Sequence, residues 1–282
     1  MNRDLKIFTS LWAMQPHDRT GEVLPYGRVC GMVRDAGFDG LAIDLGAADV
    51  QTAHDVRPHM EREGLTPLIV AFPKSIEALR DTLKMARDFG SPFVNVIGQV
   101  FPLTVEGAIP VIRKWIEMSL QEDMPIQFET HRNCITNDLF ATLGLLDAVP
   151  EMRLAGDFSH YIVDREFKLP LEPWEKGLID RCISRCDSFQ GRVASRQQIQ
   201  LPLDFPQHQK WFDLFKGFWR DGFKDWRARN AMGDLLFLCE LGPPEYAMTG
   251  ADGRELSDRW AESLHLKSVA EGIWSDLEAG GT

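Results

Sequence analysis

Three acidic residues stand at the C-terminal ends of apolar runs: Glu129 in Ile126-Gln127-Phe128-Glu129, Asp157 in Leu154-Ala155-Gly156-Asp157, and Glu240 in Leu236-Phe237-Leu238-Cys239-Glu240. A carboxylate that closes a buried segment is costly unless a cation or hydrogen bonds satisfy it. Three hard oxygen donors gathered at one point suit Mg2+, Mn2+ or Co2+ better than a soft-ligand metal, with Zn2+ a further option. The competing account is that each acid caps a helix or pairs with a nearby arginine. His131 lies two residues beyond Glu129, and His160 three beyond Asp157. A neutral imidazole at either place could act as a base or hydrogen-bond a carbonyl or hydroxyl, or it could be an ordinary loop histidine. Arg132 reads as an ion-pair partner. Arg192 carries a planar guanidinium suited to a carboxylate, a phosphate or several hydroxyls, or to a buried salt bridge with one of the acids.

The elements that must position these residues alternate along the chain. Strands are expected at 5–12, 39–45, 66–72, 92–98, 125–130, 152–159, 187–195 and 235–242. Helices are expected over Glu22–Asp35, 48–63, Ser75–Phe89, 104–121, 136–148 and 255–275, with Gly37, Gly64 and Gly90 as stop signals. Eight strands separated by helices, with no composition break, predict a single α/β domain over 1–282, a closed (β/α)8 TIM barrel. An open doubly wound sheet would carry a Gly-rich turn after its first strand, and Thr9-Ser10-Leu11-Trp12-Ala13-Met14 is not one. Two long connections, 160–172 and 194–208, should lie on the face where barrels place their substrate loops. The run Trp211-Phe212-Asp213-Leu214-Phe215 with Phe218 and Trp219 reads as a helix packed on the barrel, or as a subunit contact that would make a homo-oligomer.

The composition narrows the classes. A chain of 282 residues with 44% hydrophobic side chains can bury a large core. A formal net charge of -11 argues against a nucleic-acid partner, because phosphate binding needs a basic face. No apolar run of membrane-spanning length occurs, and the N-terminal stretch lacks a secretory signal pattern. Five scattered cysteines (Cys30, Cys134, Cys182, Cys186, Cys239) fit reduced thiols and predict a cytoplasmic protein without a structural zinc site.

Taken together, Phe128-Glu129-Thr130-His131-Arg132-Asn133, Gly156-Asp157-Phe158-Ser159-His160, Gly191-Arg192-Val193 and Cys239-Glu240-Leu241-Gly242-Pro243-Pro244 resemble the sugar isomerase/epimerase branch of the xylose-isomerase-like barrels. The resemblance spans nearly the whole chain. It implies one divalent cation held by Glu129, Asp157, Glu240 and a strand-seven residue. Many relatives have histidine at that last place; here it is Gln190, whose neutral amide oxygen suits a hard cation but is weaker for late transition metals. His160 would contact a substrate oxygen, and Gln200 and His208 match polar loop positions of the family. Trp12 could form an apolar wall for a sugar ring, or be core.

The implied reaction is proton transfer next to the carbonyl of a ketose or related hydroxyketone, through an enediolate. Glu129 and Glu240 would be the acid/base pair, with His160 and His131 as further proton-handling groups. Arg192, His160, Trp12 and Gln200 would bind a small sugar-like substrate. The same constellation also suits a lyase that cleaves a 3-keto-glycoside by β-elimination. A third reading is a barrel that binds a polyol without turnover.

Overall fold

The aliphatic runs form eight parallel strands, and a computed structural model of the chain describes residues 3–14 and 23–280. The strands are β1 (Arg3–Ser10), β2 (Gly40–Asp44), β3 (Thr66–Ala71), β4 (Val94–Val96), β5 (Ile126–Glu129), β6 (Leu154–Gly156), β7 (Cys186–Gln190) and β8 (Gly233–Cys239). They pair in chain order, and β1 meets β8 from Arg3–Gly233 through Thr9–Cys239, which closes a (β/α)8 TIM barrel. Around it run α1 (Tyr26–Asp35), α2 (Val50–Glu63), α3 (Ala78–Phe89), α4 (Val105–Gln121), α5 (Leu139–Ala148), α6 (Ser159–Asp164), α7 (Pro173–Ile183), α8 (Gln209–Arg229) and α9 (Arg259–Ala279).

Local chemistry sets the helix ends. Asp49, Thr104, Asp138 and Asp258 each accept a hydrogen bond from a first-turn amide of α2, α4, α5 and α9. Gly64 and Gly90 end α2 and α3 in the left-handed region, at φ 68° and 77°.

Side chains along each strand alternate between two cores. On β8, Leu235, Phe237 and Cys239 belong to the outer core beneath the helices, whereas Leu236 and Leu238 fill the barrel with Phe8, Leu68, Val70 and Phe93. Glu240 continues the inward series of Leu236 and Leu238. On β5 the outward residue is Phe128, which leaves Gln127 and Glu129 inward. On β7 it is Phe189, which leaves Ser188 and Gln190 inward. Ser188 donates to Gln127 across the barrel at 2.5 Å, forming a polar layer directly below the acids. Helix α8 lies so close to β7 that a Cβ on Gly222 would sit 2.3 Å from the Phe189 ring, so only glycine fits there.

Several boundaries differ from the sequence expectations. Trp12 is not in β1 but in a 3-10 turn over Trp12–Met14. Strand β6 stops at Gly156 and β8 at Cys239, so Asp157 and Glu240 are the first residues past their strands. Strand β7 ends at Gln190 rather than 195, and Arg192 sits in the following loop. The stretch 160–172 is not all loop, because α6 holds its first residues and α7 follows it. Helix α1 begins at Tyr26; Glu22, where the sequence places its start, lies outside the described residues. The aromatic run on α8 is core, with Trp211, Phe212, Phe215, Phe218 and Trp219 all buried. All five cysteines are buried and free. No helix among the described residues is long and apolar enough to cross a membrane.

Candidate metal centre

At the C-terminal mouth of the barrel, one carboxylate oxygen from each of Glu129, Asp157 and Glu240 lies within 4.8 Å of the others. Glu129 and Asp157 are fully enclosed, and Gln190 and Glu240 nearly so. Each acid has one oxygen held by the protein and one left without a hydrogen-bond partner. Glu129 Oε2 accepts from Asn95 Nδ2, while Oε1 is unpartnered. Asp157 Oδ1 accepts from the Ser159 amide at 2.9 Å and from its hydroxyl at 2.5 Å, while Oδ2 accepts none. Glu240 Oε1 pairs with Arg192 Nη2 at 3.0 Å, while Oε2 is unpartnered. Both polar atoms of the Gln190 side chain are also buried without a partner. Its backbone is fixed instead, because Gln190 O accepts from Trp219 Nε1 at 3.1 Å.

Three clustered acids, each with an unpartnered buried oxygen, beside the Gln190 amide are expensive in an apolar barrel, and a hard cation would satisfy them. The charge agrees. With the carboxylates ionised, three of them and the Arg192 guanidinium leave two negative charges, the complement of a divalent ion. The residues present therefore fit the cation that the sequence implied.

Electrostatics report the same unfilled demand. Burial pushes Glu129 well above the usual carboxylate range, and the Glu240 and Asp157 charges push the same way. Burial also raises Glu240, to about 7, against the pull of Arg192 and with help from Asp157 and Asp44. Asp157 is raised by burial too, with Arg192 and Ser159 opposing. Burial works against the Arg192 charge, but Glu240 and Asp157 outweigh it and hold the guanidinium more firmly protonated than usual. Arg192 Nη1 lies 3.7 Å from Asp157 Oδ2, and Nε donates to the Glu240 carbonyl at 3.2 Å. The salt-bridge account of Arg192 therefore describes its present contacts.

Beside the acids, the His131 and His160 rings meet with centroids 4.1 Å apart. His131 Nδ1 contacts the Arg132 carbonyl, and burial pushes this histidine down to about 3. Burial, with His131 and Arg192 adding, also pushes His160 well below its ordinary value. Both imidazoles are thus neutral at physiological pH. A cleft of about 530 Å³ opens above the site, lined among others by Trp12, Asp44, Lys74, His131, Glu240 and Tyr246. Arg132 does not form the expected ion pair here; its guanidinium lies 4.8 Å from the Tyr246 ring centre. Gln200 is buried behind the cleft, and its amide is taken up by the backbone of Gly242, donating at 2.9 Å and accepting at 2.7 Å. His208 is buried near the start of α8, its Nδ1 2.8 Å from the Pro202 carbonyl.

Sequence reasoning missed Asn95, which orients Glu129, and Asp44, whose Oδ1 accepts from the Gly46 and Ala47 amides at the cleft floor. Both were legible in principle: Asp44 closes the apolar run of β2, and Asn95 is the one polar residue of β4. Tyr246 carried no such signal, because a loop brings it to Trp12, with ring centroids 5.0 Å apart.

No protein-family model and no curated protein matches the sequence. Solved structures do match. A xylose isomerase-like TIM barrel protein from Mycobacterium smegmatis, in complex with magnesium, superposes with a TM-score of 0.60 at 13% identity, covering 96% of this chain and 98% of that one. An L-ribulose 3-epimerase gives 0.61 at 14% identity, over 98% and 96%. D-allulose 3-epimerase from Methylomonas sp., in complex with D-allulose, gives 0.55 at 13% identity, over 97% of each chain. The chain has the fold of the xylose isomerase-like TIM barrels.

Proposed function

We propose that the protein is a divalent-metal-dependent isomerase or epimerase acting on a ketose or a related hydroxyketone. One observation carries this reading: three buried acids, each with an unpartnered oxygen, bring ligand atoms within 4.8 Å of one another beside a cleft of the right size for a monosaccharide. The epimerases of the same fold act on sugars by name, which supports the substrate class. Glu129, Asp157, Gln190 and Glu240 would hold the cation, with Mn2+, Mg2+ or Co2+ preferred by this donor set. When bound, such an ion polarises a carbonyl and stabilises negative charge that develops on its oxygen.

The remaining work belongs to side chains of this chain. Glu129 and Glu240 flank the site from β5 and the end of β8, where positioned carboxylates can take up and return a proton. One removes the proton next to the carbonyl and the other returns it. Return to the opposite face of the same carbon gives the epimer; return to the neighbouring carbon gives the isomer. Asn95 holds Glu129 and Arg192 holds Glu240, so each base keeps its orientation. Trp12 and Tyr246 wall the cleft on its apolar side.

The test is deuterium uptake from D2O at the carbon next to the carbonyl of D-allulose, L-ribulose and their epimers, with Mn2+ present. The wild type should exchange, and Glu129→Gln and Glu240→Gln should each lose roughly 100-fold or more, the usual contribution of a positioned acid or base. Full exchange in either variant would remove that residue from the pair. An unsaturated product from a 3-keto-glycoside, without exchange in free ketoses, would replace isomerisation by elimination.

A further inference from the structure

The histidine pair is not needed by the carboxylate site, and its arrangement is itself that of a ligand set. One ligand atom from each of Glu129, His131 and His160 lies within 4.8 Å of the other two. His160 is 2% exposed, yet neither ring nitrogen has a hydrogen-bond partner, with Asp157 Oδ2 only as near as 3.4 Å to Nε2. A buried imidazole left wholly unpaired is costly unless something outside the chain completes it. His131 has the complementary feature. Its Nδ1 meets the Arg132 carbonyl, an acceptor, so the proton sits on Nδ1 and the Nε2 lone pair is left free. A ring N–H donated to a backbone carbonyl is the usual support of a metal-ligating histidine. The third member, Glu129, has the unpartnered Oε1.

We propose that Glu129, His131 and His160 form a second divalent-cation site that shares Glu129 with the carboxylate site. The proposal rests on the reading of the first site only through that shared residue. Two imidazoles and one carboxylate select a borderline transition ion such as Co2+ or Zn2+ over Mg2+.

The experiment counts metal ions bound to chelator-stripped, full-length protein after dialysis against Co2+ or Mg2+. Two Co2+ but one Mg2+ are expected per wild-type chain. His131→Ala and His160→Gln should each keep one Co2+, and an Asp157→Asn/Glu240→Gln double variant should also keep one. A wild type that binds only one Co2+, retained in both histidine variants, would overturn the second site and leave the first standing. A single Co2+ lost in the histidine variants but kept in the acid variant would uphold the second site and overturn the first. No bound Co2+ would overturn both. Should a histidine variant not fold, proton NMR of the Co2+-loaded wild type decides. An exchangeable, paramagnetically shifted resonance from His131 Nδ1–H is expected, and its absence overturns the site.

Discussion

Replacing Arg192 by methionine keeps an unbranched apolar stem and removes the guanidinium that pairs with the buried carboxylates. In the cation-free protein Arg192 is what compensates Glu240 at 3.0 Å and Asp157 at 3.7 Å. Removing one member of a buried pair costs about 3–5 kcal/mol, mostly because the other charge stays behind uncompensated. For a domain of this size that is roughly 6–20 °C in Tm, at about 2–4 °C per kcal/mol. The acids can relieve part of this by taking up protons, which gives the effect a pH signature. Glu240 is already raised to about 7 with Arg192 in place, and loss of the guanidinium raises it further. A carboxyl whose folded value lies above its unfolded one contributes stability that is full below about pH 4.5 and lost as pH rises through the folded value. The deficit of Arg192→Met should therefore widen from pH 6 to pH 9, by up to about 1.4 kcal/mol per pH unit for each proton held.

Thermal melts in EDTA and in saturating Mn2+ test the whole chain of reasoning. With the guanidinium gone the site carries three negative charges rather than two, so the cation should raise the Tm of Arg192→Met by more than it raises that of the wild type. The reasoning fails if the variant melts within about 2 °C of wild type in EDTA at pH 8.5, a shift worth about 1 kcal/mol or less. It fails equally if Mn2+ stabilises the variant less than it does the wild type.

Further outcomes follow from neighbouring contacts. Glu262 on α9 is buried and raised to about 7, chiefly by burial with Asp204 and Glu255 adding, while its Oε1 accepts from the Leu203 amide. Glu262→Gln should keep that bond and stabilise the protein by up to about 3 kcal/mol at pH 8 but not near pH 4.5, as read by urea unfolding at both values. Gln200→Ala strands the amide and carbonyl of Gly242 and should cost about 1–3 kcal/mol, with faster hydrogen exchange in the loop after β8; unchanged exchange would mean the clamp does not hold that loop. Gln190→His exchanges an amide oxygen for an imidazole and should raise Co2+ affinity roughly tenfold relative to Mg2+ by calorimetric titration. An unaltered Co2+/Mg2+ ratio would remove Gln190 from the ligand set.

The barrel was readable because most of its strands are short apolar runs set apart by helices, several with their own end signals, such as Asp49 and Gly64 on α2. Glu129 was legible as an acid closing a strand and Gln190 through the resemblance, and the inward alternation of β5 and β7 is why both reach the barrel mouth. Past the strand ends the same period still points Glu240 and Arg192 into the mouth, but that Arg192 pairs with Glu240 and Asp157 no spacing rule states. Helix α6 was invisible for a related reason. Its six residues are too few for helical periodicity, yet that turn is what buries His160 against His131. Gln200 read as a substrate group because it matches a polar loop position of the resembled family; the structure gives its amide to the backbone of Gly242.

Gln190 is where charge and softness separate. A histidine in its place would be neutral as well, so the three carboxylates and Arg192 would present the same two negative charges to a cation. What the amide removes is the one nitrogen donor, and the carboxylate site is left with oxygen alone, the preference of Mg2+ and Mn2+. The nitrogen donors of this barrel mouth lie instead on His131 and His160, one step to the side. Two positive ions sharing Glu129 would repel each other across that carboxylate, so filling the oxygen site must weaken the histidine site, and by linkage the reverse holds to the same degree. Occupancy of the pair then depends on the concentrations of both ions. Saturating Mg2+ should lower the affinity of wild-type protein for Co2+ at the histidine site, and the Asp157→Asn/Glu240→Gln variant should show no such loss.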